Sequence, residues 1–249
     1  MIPLRIAFDM DGTLADLSSA YAEIEDRLFG PELAEHEQPA PEVREAEQHS
    51  EEDASAAATI SDNRRVAARR SSRGGSRRNR HRHRDRVWRA IEETPNFWTT
   101  LKPLENGAVK RLYQLTGEHN WEVFFITQRP ATAGATVQLQ TYKWLVEQGF
   151  STPSVIPLSG ARGKCAAALH LDYLIDDTPQ NCVDVLHDSS TRAILLVSAD
   201  DPLAERSARR LGIGTAHNIH EVLDLLIQAT AARANPSLFE KLRKLVGCK

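Results

Sequence analysis

Residues 4–14 read Leu4-Arg5-Ile6-Ala7-Phe8-Asp9-Met10-Asp11-Gly12-Thr13-Leu14, an apolar run that ends abruptly in two carboxylates. Alternation places Ile6 and Phe8 on one face and Ala7 on the other. The pattern predicts a strand covered on both sides, as in a parallel sheet. Asp9 and Asp11 lie two positions apart and lean the same way if extended backbone continues past Phe8. Gly12 permits a tight turn towards a helix. Acids at the carboxyl end of a buried strand stand where open α/β sheets bind ligands. Like charges this close repel, and a hard cation such as Mg²⁺ relieves that repulsion.

The pattern recurs downstream. Trp121 to Thr127 is a second buried strand, ending in Thr127-Gln128-Arg129-Pro130. Ser154 to Leu158 is a short third strand, and Pro157 places it at an edge. Tyr173-Leu174-Ile175-Asp176-Asp177 again runs apolar into paired acids, and Arg192 to Ser198 is a fifth strand. Helices are expected between them, at about 16–29, 105–116, 131–148, after Lys164, from Thr178-Pro179, from Asp201-Pro202 and at about 220–231. Thr178 would be an N-cap with Pro179 at the first helical position, and Asn181 is a residue that could instead face the site. Thr215-Ala216 reads as a short extension. A last helix from Asn235-Pro236 is expected to pack on the sheet, a homodimer contact being its lesser use. Strands alternating with helices imply a parallel sheet.

The chain has 249 residues, 41% of them hydrophobic, which fits one medium domain plus an insertion. A formal net charge of -3 hides an asymmetry. Glu32 to Asp53 is acidic, and arginines crowd Arg64 to Arg86. Large apolar residues are almost absent from this stretch. It is expected to be disordered, or to form loose helices that pair acidic with basic charge. Contact of Arg64 to Arg86 with nucleic acid is the less favoured reading, because stacking aromatics are missing. Order is expected again near Val87. Trp88, Phe97 and Trp98 either pin the insertion to the core or stack on a substrate ring. Cys165, Cys182 and Cys248 read as reduced thiols, and with no signal-peptide pattern or membrane-spanning run a cytoplasmic setting is expected.

At Asp9-x-Asp11-Gly12-Thr13 the sequence resembles the haloacid dehalogenase-like superfamily. Thr127, Lys164 and Asp176-Asp177 follow in the order of that superfamily's remaining motifs. The resemblance implies an α/β, Rossmann-like three-layer sandwich with a parallel five-stranded sheet of order 5-4-1-2-3. It also implies a helical, partly disordered cap inserted after the first strand. Residues 1–14 and 96–249 would form the catalytic core and 15–95 the insertion, with 31–86 its low-complexity part. The implied activity is Mg²⁺-dependent phosphomonoester hydrolysis, with Asp9 as nucleophile and Asp11 as general acid and base. Thr127 and Lys164 would hold the phosphoryl group; Arg162 is a rival to Lys164, whose spacing is the better. Asp9, the Asp11 backbone carbonyl and Asp177, with Asp176 acting directly or through water, would hold the metal. Gln128, Arg129, Phe97 and Trp98 are candidates for contact with substrate, although Arg129 also reads as an ordinary loop arginine.

Four further segments look like the 5'(3')-deoxyribonucleotidase family: Asn96-Phe97-Trp98, Leu101 to Val109, Tyr142-Lys143-Trp144 and Leu174 to Pro179. That likeness implies nucleoside monophosphates as substrate. A phosphatase of another small metabolite, a protein or a nucleic-acid end is the alternative. A non-catalytic nucleic-acid-binding protein is the third reading.

Overall fold

A computed structural model describes residues 3–30 and 77–234. Strands β1 (Arg5–Asp9), β2 (Glu122–Thr127), β3 (Ser154–Pro157), β4 (Tyr173–Asp176), β5 (Arg192–Leu196) and β6 (Gly214–Ala216) form one parallel sheet. Their order is β3-β2-β1-β4-β5-β6. The expectation of five strands in the order 5-4-1-2-3 is corrected: β6 pairs beyond β5, from Ile194–Gly214 to Leu196–Ala216. Thr215-Ala216, read as a short extension, belongs to this strand, whose three residues carry no apolar run to mark it as a sixth. β3 occupies the opposite edge, where Pro157 lacks an N–H to donate.

Helices α1 (Leu17–Phe29), α2 (Arg77–Glu93), α3 (Ala108–His119), α4 (Val137–Glu147), α5 (Arg162–Ala168), α6 (Pro179–Asp188), α7 (Pro202–Arg210) and α8 (Ile219–Ala234) surround the sheet. Ile6 and Phe8 pack in one hydrophobic cluster with Val109 and Leu112 of α3, Trp144 of α4 and Val222 of α8. Ala7 packs in a second, with Ala166 of α5, Val185 of α6 and Ala208 of α7. The alternation in β1 therefore reports two covered faces and three layers.

α1 starts at Asp16, whose carboxylate accepts from the Ser19 amide at 2.9 Å. It packs on α2 through Tyr21 against Trp88, ring centroids 5.9 Å apart, and through Ile24, Val87 and Ile91 in the first cluster. α2 begins at Arg77, ahead of the Val87 from which order was expected. The remainder of the low-complexity stretch, residues 31–76, lies outside the described residues, as do the helix expected from Asn235 and Cys248. α4 starts later than its pattern, at Val137. Pro130 and Gly134, at φ +96°, keep 128–136 as a loop, and Thr136 then caps the helix by accepting from the Leu139 amide. Among the described residues no helix is long and apolar enough to cross a membrane.

Candidate active site

Register brings the carboxyl ends of β1, β2 and β4 together. Asp9 pairs with Ile126, one residue before Thr127, and Phe8 pairs with Ile175, one residue before Asp176. Beyond Asp9 the chain folds back at once, the Met10 carbonyl accepting from the Leu14 and Ala15 amides. Gly12 sits at φ +81°, and a Cβ there would stand 2.2 Å from Asp177 Oδ2. A side chain at this position would collide with that carboxylate.

Asp9, Asp176 and Asp177 each bring an oxygen within 4.8 Å of the others. Burial pushes the Asp9 carboxyl well above the usual range, against the pull of Arg162. Burial and the adjacent Asp176 push Asp177 up to about 7. Asp176, fully buried, is raised by its burial, while Arg162 and its hydrogen bonds act the other way. Those bonds come from the Thr178 amide at 2.8 Å and from Asn181 Nδ2 at 3.1 and 3.0 Å. Asp177 is freer, accepting from the Thr178 hydroxyl at 3.5 Å. Thr178 holds the N-cap position of α6, but its side chain makes no capping bond. Three carboxylates with no sulfur or nitrogen donor are hard ligands that fit Mg²⁺, and a divalent cation would offset the charge that burial makes costly.

The site's own cation is Arg162, not Lys164. Arg162 is buried and pairs with Asp9, and its Nε lies 2.7 Å from Asp176 Oδ2. Burial opposes its charge, but Asp9 and Asp176 outweigh burial and raise its pKa. Neither Nε nor Nη1 meets hydrogen-bond geometry with a partner. Lys164 is exposed on α5. Arg162, Gly163 and Ala166 share the buried side of this helix, and Gly163 is pressed so closely to α6 that a Cβ would meet the Asp184 carbonyl at 2.2 Å. Two positions further along the helix, Lys164 is carried around to solvent.

The Asp11 carboxylate is engaged by Arg129. Arg129 Nε donates to both its oxygens at 3.0 and 2.9 Å, and Nη2 donates to Oδ1 at 2.6 Å. Asp11 is thus outside the cluster of carboxylate donors, which leaves its backbone carbonyl as what it could offer a metal. Arg129 is neither a surface-loop arginine nor a free contact for substrate: it is 7% exposed and its guanidinium is taken up within the protein.

Of the two readings of Phe97 and Trp98, the structure agrees with packing against the core. Both are buried; the Trp98 indole donates to the Pro130 carbonyl at 3.0 Å, and its amide donates to Gln140 Oε1 at 3.1 Å. They brace the 128–136 loop. Gln128, half-buried, donates to the Gly160 carbonyl at 2.9 Å and so ties that loop to the approach to α5. Thr127 is 1% exposed, and its hydroxyl accepts from the Arg129 amide at 3.4 Å. The Thr13 hydroxyl is buried without a partner. Sequence reasoning missed Thr13 and the pairing of Arg129 with Asp11. It left Asn181 open, and Asn181 faces Asp176.

No family model and no curated protein matches the sequence. Among solved structures, a phosphonoacetaldehyde hydrolase-like protein from Oleispira antarctica superposes with a TM-score of 0.50 and 13% identity, over 92% of this chain and 93% of that one. A haloacid dehalogenase-like family hydrolase from Xanthomonas campestris gives 0.47 and 14%, over 94% and 99%. A HAD family hydrolase from Deinococcus radiodurans R1, with bound phosphate and sodium, gives 0.48 and 14%, over 92% and 97%. At 13% identity the likeness to the Oleispira antarctica structure shows the fold alone.

Proposed function

We propose that this chain is a phosphomonoester hydrolase of the haloacid dehalogenase-like kind, working through an aspartyl-phosphate on Asp9. The observation that carries the reading is the grouping of Asp9, Asp176 and Asp177 around one buried guanidinium at the carboxyl edge of the sheet. A phosphate monoester is an anion, and a carboxylate attacks it only where cations offset the joint charge. Arg162 supplies one, with an N–H to spare. Magnesium held by Asp9 and Asp177, beside Asp176 and the Asp11 carbonyl, would supply further charge to the phosphoryl oxygens.

In the first step an Asp9 oxygen forms a bond to phosphorus as the ester P–O bond breaks. The leaving oxygen keeps that electron pair and takes a proton from Asp11, departing as the alcohol. In the second step water attacks phosphorus and gives a proton to Asp11. The bond to Asp9 then breaks, releasing phosphate and restoring the carboxylate. Thr127 and Arg162 would hold the phosphoryl oxygens throughout.

Nucleoside monophosphates are the proposed substrate class, supported by the sequence likeness at 96–98, 101–109, 142–144 and 174–179. The exposed Arg82, Arg86 and Arg89 on α2 favour a second reading, hydrolysis at a phosphorylated nucleic-acid end. Turnover of a panel of nucleoside monophosphates, sugar phosphates and 5'- or 3'-phosphorylated oligonucleotides with Mg²⁺ tests both. Preference for mononucleotides supports the first reading. Preference for oligonucleotides supports the second, and inertness towards every ester rejects the hydrolase.

A further inference from the structure

We infer that Arg129 is a positioning residue for Asp11, whose carboxylate it orients and keeps from joining Asp9, Asp176 and Asp177 as a fourth carboxylate. The inference rests on the hydrolase reading and deepens it.

The side chain of Arg129 is 0% exposed, whereas that of Asp11 is 19% exposed. The buried partner is therefore the clamp, and the partner open to solvent is what it holds. Asp11 Oδ1 accepts from Nε and Nη2, and Oδ2 shares the Nε hydrogen. A planar guanidinium sets the direction of a carboxylate in a way an ammonium does not.

The clamp is itself fixed. Nη1 donates to the Thr141 hydroxyl of α4 at 2.9 Å, and Cζ stands 4.8 Å from the centre of the Trp98 ring. Trp98 is tied to the same loop through Pro130. Loop and cap helix are joined in turn: the Ala133 amide donates to the Glu92 carbonyl of α2 at 2.7 Å, and the Asn96 amide donates to the Ala133 carbonyl at 2.7 Å.

A buried ion pair is poor value for stability alone, since apolar residues of similar volume serve as well. Placing Asp11 is a use apolar residues cannot supply. Two residues from the nucleophile and unrestrained, this carboxylate would be drawn to any cation the other three hold. It would then have no lone pair facing the leaving oxygen.

The test compares kcat/KM, which reports transfer to Asp9, for p-nitrophenyl phosphate and propyl phosphate, in the full chain with Mg²⁺. The p-nitrophenolate leaves without a proton; the propoxide does not. Arg129→Met is expected to lose roughly 100-fold or more on propyl phosphate and only a few-fold on p-nitrophenyl phosphate. Asp11→Asn should show the same split, and the double variant should be no worse than Asp11→Asn alone. Arg129→Lys keeps the charge without the fork and should fall between wild type and Arg129→Met. If Arg129→Met does not fold, Arg129→Lys carries the test. An equal loss on both esters, or losses that multiply with Asp11→Asn, would assign Arg129 a merely structural part and overturn the inference. If wild type is inert towards both esters, the comparison is made on aryl and alkyl esters of whichever phosphate in the panel above it turns over, and inertness towards the whole panel overturns the hydrolase reading itself.

Discussion

Gly12→Ala separates the demands of the fold from those of the site. At φ +81° an alanine costs about 1 kcal/mol or somewhat more in backbone strain. Its Cβ would stand 2.2 Å from Asp177 Oδ2 and 2.6 Å from Cγ, where ordinary contact begins near 3.4 Å. The Asp177 carboxyl must therefore retreat by more than an ångström. For the fold this is cheap, because the colliding atoms are the end of a side chain. For the site it is not, because metal–ligand distances tolerate only about 0.2 Å. The variant should remain folded, 1–3 kcal/mol less stable by urea denaturation at about the cost that strained non-glycine residues carry. Its Mg²⁺ requirement for p-nitrophenyl phosphate turnover should rise about tenfold or more, and turnover at saturating Mg²⁺ should fall by about two orders of magnitude. Wild-type Mg²⁺ dependence and turnover in a folded Gly12→Ala chain would refute the placement of Asp177 as a ligand.

The remaining predictions concern charge. Asp177 is held at about 7, above its ordinary 3.8, so between those values the folded chain binds more protons than the unfolded one, and its stability falls as pH rises through that window. In metal-free urea melts Asp177→Asn should thus match wild type below about pH 4 and exceed it by a few kcal/mol at pH 8. Mg²⁺ at pH 8 should stabilise wild type but not this variant. A difference that is flat with pH would contradict the buried acid cluster. Arg162→Met leaves Asp9 and Asp176 buried without their cation, at a cost of about 3–5 kcal/mol near neutral pH, and should abolish turnover. Lys164→Met should leave both nearly unchanged, and the reverse pattern would restore Lys164 to the site.

What was legible in the sequence follows from how parallel sheets are built. Buried strands are apolar runs, and the acids closing β1 and β4 mark the end at which ligands bind, so Asp9, Asp176 and Asp177 could be read from the chain. Thr127 could be read in the same way. The cation could not. Arg162 and Lys164 flank one glycine, and the alanines that follow give no apolar face to say which side of α5 is inward. Only the contact of Gly163 with α6 decides it. Arg129 and Trp98 were each left with two readings, because a loop arginine beside an active-site motif, and an aromatic after an insertion, serve equally as substrate contacts or as parts of the scaffold. Their partners, Asp11 and Pro130, lie 118 and 32 residues away in the chain. The start of α2 was missed because arginines carry no apolar period, although they are acceptable helix formers once Val87 and Ile91 anchor the helix against α1.

The central claim is that Asp9 takes the phosphoryl group. The direct measurement is rapid-quench trapping of phosphate on the protein, alongside steady-state hydrolysis of p-nitrophenyl phosphate with Mg²⁺, for wild type and Asp9→Asn. Wild type should hydrolyse the ester and carry an acid-stable, hydroxylamine-labile phosphate on Asp9, and Asp9→Asn should do neither. Equal hydrolysis by the two proteins, or a wild-type turnover with the label on another residue, would contradict the account.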